Sequence, residues 1–232
     1  MRLTKKFVCE FIHNSNAIEG LYHDMLYIEK AYDMVNNAKT PIDTVFLTNH
    51  PEIFNTLEAI SFVKKNKKKR PALDTVAELH RITMRGLMPM RDEGCYRAMN
   101  VIVGGSQCPQ ASQVLILLNQ FLEKWNDKLT VTFPEPYEKG IMVPSKILGE
   151  DPFFIKPEMY DNECLRHMEF ERIHPFSDGN GRTGRLLYLW DCLYHGKKFK
   201  IILAERKFGY YAMLNLYRKV LLPTLWVSIE EG

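Results

Sequence analysis

Twelve residues, His174-Pro-Phe-Ser-Asp-Gly-Asn-Gly-Arg-Thr-Gly-Arg185, carry the chemistry most legible in this chain. They bring together an imidazole, the carboxylate of Asp178, the amide of Asn180 between Gly179 and Gly181, and two arginines. His174 can be neutral near pH 7 and accept a proton from an attacking hydroxyl. The glycines let the backbone curl round a phosphate without interference from a Cβ. Arg182 and Arg185, at i and i+3, can turn toward one anion, and guanidinium forks match phosphate oxygens bidentately. Two cations at the positive end of a helix dipole oppose stability, and an anionic ligand relieves both penalties. A lone carboxylate among phosphate-binding groups, Asp178, fits a Mg²⁺ ion that bridges phosphates. The combination suits holding a polyphosphate and deprotonating a hydroxyl beside it.

Such a site needs a frame, and the sequence supplies a mostly helical one. Residues 160–173 lack strand alternation, and Pro175 disfavours helical geometry in the residue before it, so a helix should end near His174. Apolar positions Leu186, Leu187, Leu189 and Trp190 then predict a new helix from Gly181 or Arg182. The motif becomes a tight loop leading into a helix N-terminus, whose free N–H groups attract anions. Phe176 reads as an anchor for the loop. Val114, Leu117, Leu118, Phe121 and Trp125 mark another helix, and similar stripes run through 3–17, 23–37, 51–66, 74–85, 160–173, 182–195 and 207–220. Residues 100–107, with three β-branched or apolar residues before Gly-Gly-Ser, predict a short β-hairpin. The proline-rich stretch 127–158 reads as a long irregular insertion.

A net charge of +3 gives no argument for nucleic acid, and the basic cluster 64–70 reads as a solvated helix end. Five cysteines without a Cys-x-x-Cys pair suggest reduced thiols and a cytoplasmic protein. No apolar stretch is long enough to cross a bilayer, and the apolar run near the N-terminus is broken by Glu10.

The dozen residues resemble, without departure, the signature HPFx[D/E]GNGRxxR of the Fic family. His167, Phe170 and Ile173 precede it in family spacing, and Leu79-His80-Arg81, Gly94, Tyr96-Arg97 and Val101–Gly105 resemble the helix-plus-flap segment. The likeness spans about residues 10–220, with 127–158 the clearest departure. It implies an all-α Fic fold with a β-hairpin flap: one domain over 1–232, an N-terminal segment 1–37, a core over 70–220 and a flap near 98–109. It also implies a protein adenylyltransferase that moves AMP from ATP to a Ser, Thr or Tyr hydroxyl of a protein, itself included. His174 would be the base and Asp178 the Mg²⁺ ligand. Gly179, Asn180 and Gly181 would hold the α-phosphate region, Arg182 the β-phosphate and Arg185 the γ-phosphate. Tyr210 and Tyr211 fall in a familiar downstream place assigned to the nucleotide. Val101, Ile102, Val103 and Gly104 of the flap would align the target as an added strand. Kinase-like members carry lysine where Gly179 stands, so the resemblance favours nucleotidyl transfer. A homodimer is consistent with the family; nucleic acid and membrane are not expected partners.

In that context Ser15-Asn-Ala-Ile-Glu19-Gly20, otherwise an ordinary helix end, resembles the family's inhibitory motif [S/T]xxxE[G/N] placed before the core. Glu19 would then pair with Arg185 in place of the γ-phosphate. Other readings remain open. The same site could remove AMP as a hydrolase, or the chain could be a non-catalytic protein-binding module. Gly179-x-Gly181-x-x-Gly184 spells a dinucleotide fingerprint, but no strand precedes it. Cys164, His167, Cys192 and His195 have zinc-like spacing, although buried thiols and helical histidines explain them better.

Overall fold

Each of the eight amphipathic stripes becomes a helix in the computed structural model, which describes residues 2–37, 41, 43–129, 133, 138–143 and 153–221. Helix α1 (Lys5–Ile18) starts where the Thr4 hydroxyl caps the Phe7 amide. It stops in a Schellman arrangement, with Leu21 N–H donating to the Asn16 carbonyl and Gly20 N–H to that of Ala17. Gly20, at φ 85°, takes the left-handed position that this ending requires. Asp24 caps α2 (Met25–Asn36) and Asp43 caps the short α3 (Thr44–Asn49). Pro51, with no N–H to leave unpaired, opens α4 (Pro51–Asn66). Then follow α5 (Leu73–Met84), α6 (Val114–Glu123), α7 (Asn162–Ile173), α8 (Asn180–Tyr194) and α9 (Lys207–Leu216), whose last turn continues as a π-type turn over Tyr217–Leu221.

The predicted hairpin is present as β1 (Ile102–Val103) antiparallel to β2 (Ser106–Gln107). Gly104 and Gly105 have φ of 58° and 75°, the positive values of a two-residue turn matching strand twist. The stretch 127–158 is not wholly irregular, as its proline content suggested. Ile141–Val143 (β3) pairs antiparallel with Phe153–Ile155 (β4), Ile141 facing Ile155. Three-residue strands are too short to display an alternation. Within this stretch, residues 130–132, 134–137 and 144–152 lie outside those described.

The main core gathers round α8. Leu186, Leu187, Leu189 and Trp190 bury against Ile12, Ile53, Ile60, Val76 and Leu79, each worth about 1.5–3 kcal/mol of burial. A second cluster joins Ile18, Phe133 and Ile155 to Leu165, Met168, Met213 and Leu214, so the insertion contributes to the interior. Helix α7 lies between other elements and buries charged residues too, which explains its poor amphipathic pattern. Among them Arg166 donates to Asp191 at 2.7 Å and to Glu163 at 3.3 Å. No helix among the described residues is long and apolar enough to cross a membrane.

Removing one partner of a buried ion pair leaves the others uncompensated. Arg166→Ala is therefore expected to lower unfolding free energy by about 3–5 kcal/mol in urea titration. Loss of the half-exposed Lys5–Asp33 pair should leave the midpoint close to wild type.

Candidate active site

The loop between α7 and α8 is bent at His174, the only non-glycine residue with positive φ among those described (φ 51°, ψ 63°). A left-handed histidine is unfavourable on its own and persists only where its surroundings hold it. Arg97 does much of this holding. Its side chain donates to the carbonyls of His174 (2.7 Å) and Ile173 (3.4 Å), and also to those of Met99 (2.8 Å) and Pro109 (2.6 Å) on either side of the flap. Its amide donates to the Pro175 carbonyl. One guanidinium thus fastens the flap to the backbone of the motif histidine.

Phe176 is fully buried, with its ring stacked on His80 at 3.7 Å and on Tyr96 at 5.1 Å. His80 Nδ1 accepts from the Gly94 amide, so its Nε2–H is the atom that donates to the Asp178 carbonyl at 3.0 Å. Burial pushes the His80 pKa down to about 4, which keeps this neutral tautomer. Asn180 closes the loop from the other side. Its Oδ1 accepts from Phe176 N–H and its Nδ2 donates to the Phe176 carbonyl. Its side chain is therefore occupied within the loop rather than turned outward. Gly179 sits at φ 70°, and a Cβ there would run into Met84.

The chemistry-bearing groups converge on this frame. Burial first, and the Arg218 charge second, push the His174 pKa down to about 4, while the Glu171 carbonyl acts the other way. The imidazole is consequently neutral near pH 7, the form that can accept a proton. Asp178 is exposed at the loop tip, with Oδ1 accepting from the Gly179 amide at 2.6 Å. Glycine at the N-cap of α8 leaves the first-turn amides without a capping side chain. Arg182 is 9% exposed, and its Nε is buried without a hydrogen-bond partner. A buried cation with an unfilled donor beside open helix amides suits an anion. A single exposed carboxylate suits Mg²⁺, which keeps most of its shell as water and substrate phosphate.

Arg185 is 2% exposed and engaged by the end of α1. Its Nε donates to Ser15 Oγ at 2.9 Å, and NH2 donates to the Ser15 carbonyl at 2.8 Å and to Glu19 Oε1 at 2.7 Å. The Glu19 carboxylate lies where a Cβ on Gly181 would be, so this glycine makes room for the pair. The two tyrosines take other partners. Tyr210 is buried with its hydroxyl 3.0 Å from His167 Nε2, and Tyr211 donates to the Ile18 carbonyl at 3.2 Å, at the end of α1. The flap residues Val101, Ile102, Val103 and Gly104 belong to the hairpin segment that Arg97 fastens, with Ile102 69% exposed.

Cys164, His167, Cys192 and His195 do not form a metal-ligating group among the described residues. His167 contacts Tyr210, and His195 contacts Asp191. The glycine fingerprint follows a helix and not a strand, which removes the dinucleotide reading. Arg97 and His80 had no assigned role in the sequence; no local spacing announces bonds that span 77 and 98 residues. Glu171 was likewise silent. It is buried behind Gly184, and burial raises its pKa to about 7 against the lowering effect of Arg185.

Residues 71–190, just over half of the chain, match the Fic/DOC family. The chain belongs to that family. It is similar to "Protein adenylyltransferase Fic" of Nematostella vectensis, 27% identical over 92% of this chain and 44% of the relative. The same description is carried by a relative from Aedes aegypti, 26% identical over 93% of this chain and 38% of the relative. The chain thus spans less than half the length of these relatives. Among solved structures, a Fic domain containing signaling protein from Bacteroides thetaiotaomicron superposes with TM-score 0.61 at 21% identity, covering 90% of this chain and 71% of that one. Fic-1 from C. elegans gives TM-score 0.60 at 20% identity, covering 90% and 55%. At such identity the likeness carries the fold alone.

The buried His174 should titrate by NMR near pH 4 in ligand-free protein. Its folded pKa lies below the ordinary value of about 6.5, so the unfolded chain takes up the proton first as pH falls. Acidification from 6.5 toward 4 should therefore destabilise the wild type more than His174→Gln, as read by thermal melts. Gly179→Ala should lose about 1–2 kcal/mol from the left-handed backbone alone, and pairing it with Met84→Ala should recover only the steric part.

Proposed function

We propose that this chain transfers AMP from ATP to a Ser, Thr or Tyr hydroxyl of a protein. The observation that carries this reading is the disposition of the Fic loop: a neutral, backbone-clamped imidazole at one end and a buried, unfilled arginine donor at the other. The naming of the relatives as protein adenylyltransferases supports it.

In this reading the first-turn amides of α8 and Arg182 bind the ATP phosphates, and Arg185 takes the terminal one. Asp178 would hold Mg²⁺, which would supply positive charge to the phosphates. The outer edge of the two-stranded flap receives the target segment and sets its hydroxyl before His174. His174 takes the hydroxyl proton as the oxygen bonds to the α-phosphorus. The bond from that phosphorus to the bridging oxygen breaks, and pyrophosphate leaves.

Glu19 supplies the restraint. While it holds Arg185, the terminal phosphate loses its cation and the triphosphate sits out of line for attack. A misplacement of about an ångström can cost on the order of 10²-fold in rate. Wild type, Glu19→Gly and His174→Ala are to be incubated with α-³²P-ATP and, separately, γ-³²P-ATP. Protein label from the α position only, raised at least about tenfold by Glu19→Gly and lost in His174→Ala, is the expected result. Label from the γ position overturns the reaction, and a Glu19→Gly variant no faster than wild type overturns the restraint.

A further inference from the structure

Outside the Fic loop, three metal-ligating side chains from separate segments meet at the base of α4. His23 lies in the turn between α1 and α2, His50 joins α3 to α4, and Glu52 is in the first turn of α4. Their donor atoms lie within 4.8 Å of one another. Glu52 is 8% exposed, and its ion-pair partners among the described residues are the two imidazoles, His23 Nε2 at 2.8 Å and His50 Nδ1 at 3.9 Å from Oε1.

The pairing is incomplete in an informative way. His23 Nε2 is buried and makes no hydrogen bond, although Glu52 Oε1 is so near. The two atoms are close without being aimed at each other. A buried carboxylate that forms no ion pair with a lysine or arginine among the described residues leaves a place for a cation beside it. The ligand rings are already oriented. His50 is stacked on Tyr27 at 5.6 Å and packed against Phe46 at 4.9 Å, and His13 Nδ1–H donates to the His23 carbonyl at 3.1 Å. The other candidate group, Glu163, Asp191 and His195, differs in kind, because the Arg166 guanidinium already lies between its carboxylates.

We propose that His23, His50 and Glu52 form a binding site for a divalent transition metal of the zinc class, with water completing the shell. Two imidazoles and one carboxylate suit that class rather than Mg²⁺ or Ca²⁺, which take oxygen ligands. The bound ion ties the turn after α1 to the start of α4. His23 is four residues beyond Glu19, so the same ion steadies the Glu19–Arg185 pair. This last consequence rests on the inhibitory reading of Glu19; the binding does not.

Untagged, chelator-stripped protein carrying Cys95→Ser, which removes an exposed thiol, is titrated with Zn²⁺ against a chromophoric chelator. One equivalent should bind, with X-ray absorption showing nitrogen and oxygen neighbours and no sulfur. His50→Gln and Glu52→Gln should each weaken binding at least about tenfold while circular dichroism stays native. No uptake, a sulfur shell, or uptake unchanged in His50→Gln overturns the site. In the α-³²P-ATP assay, Zn²⁺ should depress labelling in the Cys95→Ser protein but not when His50→Gln or Glu19→Gly is added. Bound zinc with undiminished labelling overturns the coupling while the site stands.

Discussion

A guanidinium buried in the second turn of a helix, toward the positive end of its dipole, is among the least comfortable charges a small protein can carry. Arg185 is in that position, and much of the arrangement round the Fic loop follows from satisfying it. Ser15 receives two of its donors and Glu19 a third, so α1 must end against the start of α8. Gly181 must lack a Cβ to admit the carboxylate, and Gly20 must adopt φ 85° to stop α1 at that point. The apolar face of α1, with Phe11 and Ile12 in the main core, holds the partner in register from behind. Glu171, also buried, adds its field to the same cation.

Loop geometry follows a second constraint, strain held by long-range bonds. Left-handed His174 sits between Arg97, which reaches it from the flap, and Phe176, which stacks between two rings from other segments. The motif is consequently a structure as well as a set of reagents. Asn180 and Phe176 spend their polar and aromatic groups on shaping the loop, whereas His174 Nδ1 and Arg182 Nε make no hydrogen bond and Asp178 is exposed. Because Arg97 bonds both to the histidine backbone and to the bases of the flap, the flap and His174 share one mechanical support.

Much of the fold was legible because local physics dominates it. Repeats of three and four apolar residues mark the long helices, Pro51 and Pro175 mark boundaries, and Gly104-Gly105 mark the flap turn. Short elements escaped. Helix α3 has six residues and strands β3 and β4 three each, too few for a period to emerge. The start of α8 is Asn180, one residue before the range expected from apolar spacing, because the first turn is held by the loop and not by an apolar face.

The site divides along the same line. Sequence alone determined which groups gather in residues 174–185, and their spacing was enough to place a base, a carboxylate and two cations on one loop and helix end. It also offered Ser15 and Glu19 as partners for Arg185, through resemblance and not through any local rule. Tertiary structure decided which of those groups are free and which are committed. Tyr210 and Tyr211 turn to His167 and Ile18, Asn180 turns inward, and Arg182 keeps an unfilled donor. It also decided that His174 is neutral by burial and clamped by an arginine 77 residues away. Residue type sets what a group can do, but desolvation and long-range hydrogen bonds depend on which distant segments pack against it.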